Sequence, residues 1–352
     1  MNATTKPTTI FCRSLARWIV AAAFLVLALP TLCSAEETRF AKTEIHMAVD
    51  VEIVVYAENQ AAADKAFQAG FARIAELNKK LSDYDADSEV SQLSNSAGSS
   101  TAVRLSDDLF AVLKASQELS RASGGAFDAT VGPFTKLWRR ARRQKELPSA
   151  ERIAEAREAT GFAHLKLNES ERTATLLKPG MRIDLGGIAK GFAVDEALKA
   201  IRQTGITKAL VRASGDIVAG DAPPGQPGWI VGLAPLDPDE EPSVFITLLN
   251  NAVSTSGDSR QHLIVDGRRY SHLIDPRSGS PVEGRSAVSV IAPTGMQADS
   301  LASAVSVLGP KEGLRLIERT EKAAMRGIWE TSPTEPLTIV ESARFPTYLM
   351  KP

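Results

Sequence analysis

Two apolar periodicities alternate along this chain without settling into a repeat, and that alternation confines it to a mixed α/β architecture. TEIHMAVDVEIVVYA places apolar residues at alternate positions, the spacing of a half-buried strand. In ADKAFQAGFARIAELNKKLS, Ala66, Phe67, Phe71, Ile74, Leu77 and Leu81 recur at helical spacing, which predicts an amphipathic helix. SDYDADSEVSQLSNSAGSS reads as a polar loop. SDDLFAVLKASQELSRASGG reads as a second helix, with Ser106 as N-cap, Asp107 and Asp108 in the first turn, and Gly124 and Gly125 at the stop. ALVRAS, GWIVGLA, SVFITLLNNAVSTSG and SAVSVIAP have β-type sequence, GDAPPGQPG and PLDPDEEPS are loops, and ADSLASAVSVLG is a helix of small and apolar residues. No clean β-helix-β period emerges, so mixed sheets flanked by helices are expected rather than a barrel. Without an internal repeat, low-complexity segment or linker, residues 36–352 read as a single domain.

RIDLGGIAKGFAVDEAL (Arg182 to Leu198) sets a carboxylate, two adjacent glycines and a lysine where MRIDL reads as a strand end and AKGFAVDEALKAIRQTG as a helix stopping at Gly205. Bare backbone admits close approach of a ligand, and amides at a helix start favour anions. Lys190 adds a mobile positive charge, and Asp184 is an acceptor for a base or ribose. The other reading is a tight turn with a solvated lysine. The chain has neither a G-x-x-x-x-G-K-[ST] loop nor a G-x-G-x-x-G fingerprint.

Two further groupings carry chemistry. STSGD ends at Asp258, and YSHLIDPRSGSPV holds His272, Asp275 and Arg277 close together, with Pro276 restricting the backbone before a turn. With 4 histidines in the chain, His272 is a candidate acid/base; the alternative is a structural histidine bonding backbone. In ADSLASAVSVLG, Asp299 and Ser303 are four apart and project from one side of a helix. One carboxylate and one hydroxyl suit a hard cation such as Mg²⁺, although Asp299 also fits a capping role. No Cys/His grouping has zinc spacing.

Lys+Arg 41 against Asp+Glu 42 gives a net charge of −1, so no global field favours nucleic acid or an acidic membrane surface. At the N-terminus Lys6, Arg13 and Arg17 precede the apolar run WIVAAAFLVLALPTL, followed by CSAEE. This describes an export signal over residues 1–35, cleaved after Ala35, in preference to an uncleaved anchor. Both cysteines, Cys12 and Cys33, fall in that leader, so the mature chain needs no disulfide; Cys33 is also a candidate lipid anchor.

Taken in order, LSDYDADSEVSQLS, GGAFDATVGPFTKLW, IDLGGIAKGFAVDEA, SGDIVAGD, STSGD, YSHLIDPRSGSPV and VSVIAPTGMQADSLASAVSVLG resemble the ApbE family, the FAD:protein FMN transferases, from about Tyr84 to Gly309 with a weaker match from Met47. The resemblance implies an ApbE-like fold with its FAD site in a cleft between two subdomains. It implies a Mg²⁺-dependent enzyme of the periplasm that splits FAD, places FMN on a Thr or Ser hydroxyl of a target flavoprotein, and releases AMP. Such targets are typically subunits of membrane redox complexes. Carried over by motif, Met47, Tyr84, Ala126, Phe127, Asp128, Asp184, Lys190 and Ile274 would line the FAD pocket, and Gly187, Asp299 and Ser303 would hold the metal. For the reaction, Lys190 would neutralise phosphate charge, and His272 would take the hydroxyl proton with Asp258 or Asp275 orienting it. Two departures stand out: Ser303 replaces a more usual threonine, and RASGD a pattern more often carrying Asn and a second Gly. The competing functions are an FAD pyrophosphatase using water as acceptor, and a non-catalytic FAD-binding or delivery protein.

Overall fold

In the computed structural model, residues 37–352 form one compact unit. The residues described are Met1, 37–257, 262–265, 268–332 and 334–351. The export leader with Cys12 and Cys33, and Asp258, lie outside them.

The chain enters through β1 (Thr38–His46) and β2 (Val49–Ala57), then runs through α1 (Gln60–Leu81), α2 (Glu89–Asn95), β3 (Val103–Arg104), α3 (Asp107–Ala122), α4 (Gly132–Gln144) and α5 (Ala150–Glu158). Next come β4 (Leu165–Asn168), β5 (Thr173–Leu176), α6 (Ala189–Gln203), β6 (Ala209–Ala213), β7 (Asp216–Ala219), β8 (Trp229–Gly232), β9 (Phe245–Leu248) and β10 (Ala252–Gly257). It closes with β11 (His262–Val265), β12 (Arg268–Asp275), β13 (Ser280–Glu283), β14 (Arg285–Ala292), α7 (Gly295–Arg319), β15 (Ala324–Glu330) and β16 (Thr338–Glu341). The mixed α/β expectation is met. The main sheet has eight strands in the order β1-β2-β6-β7-β10-β14-β15-β16, and each of its strand pairs is antiparallel.

Alternation along β2 divides the core. Val51, Ile53 and Val55 turn to one face and pack with Phe67, Phe71 and Ile74 of α1 and Val194, Ala197 and Ile201 of α6. Val54 turns to the other face, which the β8–β9 ribbon and Phe345 cover. A third cluster joins α2, α3, the 181–193 segment, α7 and β14, and a fourth joins α4 and α5 to β11 and β12 through Phe134, Trp138, Leu263 and Ile274.

The structure departs from the sequence reading in four places. TEIHMAVDVEIVVYA is not one strand but a hairpin whose turn is Met47 and Ala48, at φ 50° and 61°. Such turns favour Asn and Gly, so nothing in the sequence marked it. MRIDL is not a strand; Arg182 makes a single parallel bridge to Val131. The polar loop before α3 contains α2, capped by Ser88 and held by buried Val90 and Leu93. The last long helix continues past ADSLASAVSVLG but breaks at Gly309 (φ 76°), just before Pro310. The Ser106 cap, with Gly124 and Gly125 at positive φ beyond the helix, and the Gly205 stop are as expected.

Helices α6 and α7 cross at two glycines. A Cβ on Gly191 would lie 2.1 Å from the Gly295 carbonyl oxygen and 2.7 Å from Asp299 Cβ. Gly191→Ala should therefore lower stability by about 1–3 kcal/mol through overpacking, seen as a lower denaturant midpoint at unchanged slope. An unchanged midpoint would show that the two helices can part at no cost.

Candidate functional site

The glycine crossing brings together groups that are far apart in sequence. Lys190, on the first turn of α6, donates to Asp216 Oδ2 at 2.6 Å and lies 3.8 Å from Asp299 Oδ2. Asp216 opens β7 after the Ser214-Gly215 turn, where Ser214 takes φ 57°. Its second oxygen accepts from Ser254 Oγ of β10 at 2.5 Å. Asp299 accepts the Gly191 amide at 3.0 Å, so one of the helix-start amides that could hold a foreign anion instead holds this chain's own carboxylate.

Asp299 is not the cap of its helix. Thr294 caps α7, and Asp195 of α6 accepts the Gly295 and Met296 amides at 2.7 and 2.9 Å. Burial pushes the Asp195 carboxyl up to about 6, against those two bonds. Asp195 thus fixes where α7 begins, and hence where Asp299 points.

The cluster is short of positive charge, because one ammonium faces two buried carboxylates. Burial, then the neighbouring Asp216, pushes the Asp299 carboxyl up to about 7, although Lys190 works the other way. Burial opposes the Lys190 charge too, but Asp216 and Asp299 outweigh it and keep the ammonium protonated. One turn along α7, Ser303 Oγ would be only 2.7 Å from a Cβ on Gly187, whose backbone therefore lies against that hydroxyl. Gly187, Asp299 and Ser303 so meet in one corner, where α7 packs on the start of α6. Among the described residues no group of three His, Cys, Asp or Glu could hold a metal. Phe127 closes the corner, 3.4 Å from the same Gly187 point.

A second locus lies around Asp184. Its Oδ1 accepts the Gly186 amide at 2.8 Å, and its Oδ2 accepts from Arg139 of α4 at 3.1 Å. Tyr84 is 78% exposed, and the Arg139 guanidinium lies 4.4 Å from its ring centre. Met47, in the strained hairpin turn, packs on the two clusters that contain Phe127 and Phe71.

The other expected residues are placed as follows. Ala126 is buried, and Ile274 packs beneath α4 with Phe134 and Trp138. Asp128 has both oxygens engaged locally: Oδ1 accepts from the Thr130 amide and hydroxyl, and Oδ2 from the Phe162 amide. Burial nevertheless holds its carboxyl above the usual range. Here it locks the loop that carries Ala126 and Phe127, while Oδ2 accepts a single bond. His272 is half-buried on β12, inside a register shift between Tyr270 and Ile274, and β12 packs against α7. A bulge re-aims a side chain out of the alternation of its strand. Asp275 is taken by Arg277, through the amide at 2.9 Å and the guanidinium at 2.8 and 2.9 Å.

Asp216, Ser254, Asp195 and Arg139 are site residues that the sequence reading did not single out. Asp216 and Ser254 lie inside quoted motifs, SGDIVAGD and STSGD; for Asp216 a carboxylate following a glycine turn was the available signal.

The ApbE family profile matches residues 47–326. An FAD:protein FMN transferase of Haemophilus influenzae is 33% identical over 270 residues, spanning 75% of this chain and 78% of that protein. One from Vibrio cholerae is 31% identical over 317 residues, spanning 86% and 91%. Among solved structures, the flavin transferase ApbE from Vibrio cholerae superposes with a TM-score of 0.79 at 27% identity, covering 89% of this chain and 100% of that one. The apo flavinyl transferase ApbE of Pseudomonas stutzeri gives 0.77 at 30% identity, covering 89% and 97%.

The charge deficit has a measurable sign. An unfolded Asp299 releases its proton near pH 3.9, whereas the folded, metal-free chain keeps it to about pH 7. The folded state binds more protons in that window, so this group makes stability fall as pH rises through it. Asp299→Asn should remove that loss and raise the stability of the metal-free chain by on the order of 2 kcal/mol at pH 8, with little change at pH 4. Denaturant unfolding at both pH values checks this; an equal gain at both would show that Asp299 carries no raised pKa.

Proposed function

The chain belongs to the ApbE family, and from that membership and the geometry of the site we propose how it carries out the family's reaction. It is a transferase that moves FMN from FAD to a protein. The observation that carries the mechanistic reading is that Ser303 Oγ lies against the Gly187 backbone, one turn from Asp299, which shares a single ammonium with Asp216. Gly187, Asp299 and Ser303 would hold Mg²⁺, which when bound supplies positive charge to the oxygens of a diphosphate. Lys190, kept protonated between Asp216 and Asp299, presents a fixed ammonium to the same diphosphate. Asp216 and Ser254 hold that ammonium in place, so it need not reorganise as charge moves. Tyr84 offers an aromatic face, and Met47, Ala126, Phe127, Asp184 and Ile274 complete the FAD pocket.

The acceptor is a Thr or Ser hydroxyl of a target flavoprotein, and AMP is the other product. The attacking hydroxyl must lose a proton, and His272, re-aimed by its bulge, is the base. With Asp275 committed to Arg277, the orienting role falls to Asp258. The basic, apolar and small-residue order of residues 1–35 supports export to the periplasm, with Cys33 as a further anchoring point. Among the described residues no helix is long and apolar enough to cross a membrane.

Incubation with FAD, Mg²⁺ and a threonine-bearing acceptor domain should leave the acceptor fluorescent after denaturation, and EDTA should abolish the label. AMP release with no label would assign the chain to FAD hydrolysis instead. His272→Ala should slow labelling by about 10²–10⁴-fold at unchanged FAD affinity. Lost FAD binding with normal turnover of bound FAD would remove His272 from the role of base.

A further inference from the structure

We propose that Arg139 is a positioning residue of the donor pocket: it backs one face of Tyr84 and ties down Asp184, leaving the opposite face of Tyr84 set for a planar ring of FAD. The inference deepens the reading above and rests on Tyr84 and Asp184 lining that pocket.

Arg139 sits just after the LW of α4, next in sequence to Trp138, whose indole donates to the Gly279 carbonyl at 2.9 Å. The buried Trp138 anchors the helix, so the neighbouring guanidinium leaves it from a fixed point. One guanidinium nitrogen donates to Asp83 at 2.5 Å and another to Asp184 at 3.1 Å. The guanidinium carbon lies 4.4 Å from the centre of the Tyr84 ring. A planar fork can satisfy two carboxylates and back a ring at once, which an ammonium cannot do.

Asp83 and Asp184 show why the cation is needed. Burial, and then the charge of Asp184, holds the Asp83 carboxyl above its ordinary range, with Arg139 acting against both. Without the guanidinium these two carboxylates would face each other uncompensated. Asp184 would keep only its Gly186 amide, and Tyr84, already 78% exposed, would lose its backing.

The surroundings suit an anionic ligand with an aromatic part. A cavity of 190 Å³ is bounded by Asp83, Tyr84, Lys136, Arg139, Arg143 and Arg182. Among the described residues, Lys136, Arg143 and Arg182 have no carboxylate partner, so the cavity mouth is positive around the exposed ring.

Arg139→Ala and Arg139→Gln separate this from a purely structural role. Each should raise KM for FAD about tenfold while kcat stays within about threefold, the signature of lost binding that does not change between ground and transition state. Arg139→Lys should recover part of the loss. The quenching of flavin fluorescence on binding should weaken in step. Tyr84→Leu should raise KM in the same way, and adding Arg139→Ala to it should cost less than Arg139→Ala does alone, the remainder being its hold on Asp184. The glutamine variant, which keeps hydrogen bonding, covers the case in which alanine fails to fold. An unchanged KM in the glutamine variant overturns the proposal, as does a fall in kcat alone. Tighter FAD binding also overturns it, because the arginine would then be occupying the place of the ring. If Tyr84→Leu itself leaves KM unchanged, it is the assignment of the pocket that fails.

Discussion

The site depends on one half-buried ammonium held between two buried carboxylates. Lys190, Asp216 and Asp299 come from a helix start, a hairpin and a second helix, and two glycines let those helices approach closely enough for all three to meet. Breaking such a pair by removing one partner leaves an uncompensated buried charge, at a cost of about 3–5 kcal/mol. The arrangement is therefore rigid, but it is not at an electrostatic minimum. A chain selected for stability alone would place an amide or an apolar residue at position 299. The retained carboxylate, with its raised pKa, is an unfavourable charge that the proposed divalent cation would relieve.

The support behind that cluster shows which groups are structural. Asp195 and Asp299 lie on adjacent helices, are both buried and are both pushed above the ordinary carboxylate range. Asp195 accepts two amides at the start of α7 and has a complete structural role. Asp299 accepts one amide and shares a lysine already bound more closely by Asp216. A raised pKa alone does not separate them; unused acceptor capacity beside a hydroxyl does. Asp128, like Asp195, also has a local structural role, since it accepts three nearby donors.

The sequence was most legible where chemistry is local. The Ser106 cap, the Gly205 stop and the i, i+4 pairing of Asp299 with Ser303 each follow from a few adjacent residues. It was least legible where tertiary contacts override propensity. Met47 and Ala48 turn a hairpin in a conformation that neither favours, because flanking strands nine residues long impose it. The short helix α2 survives in a serine-rich stretch because Val90 and Leu93 are buried. Asp216 lies 26 residues from Lys190, and Arg139 lies 45 from Asp184. No spacing rule in one sequence joins such positions. The long motifs carry the candidate residues, and only the folded chain shows which carboxylate meets which cation.

The two halves of the site differ in exposure, and the reaction makes use of the difference. Asp299 and Asp216 are at most 4% exposed and lie in the packed crossing of α6 with α7 and the sheet, whereas Tyr84, beside Arg139, is 78% exposed. Charge transfer at a diphosphate benefits from fixed groups that do not reorganise, so the buried wall suits that end of FAD. Delivery to a hydroxyl on another protein imposes the opposite demand. A pocket closed on both sides would hold FAD but admit only water, which is the hydrolase outcome. In the proposed arrangement an open aromatic wall would let a folded acceptor approach while stacking fixed the ring, so the uneven burial of these residues fits transfer to a protein substrate.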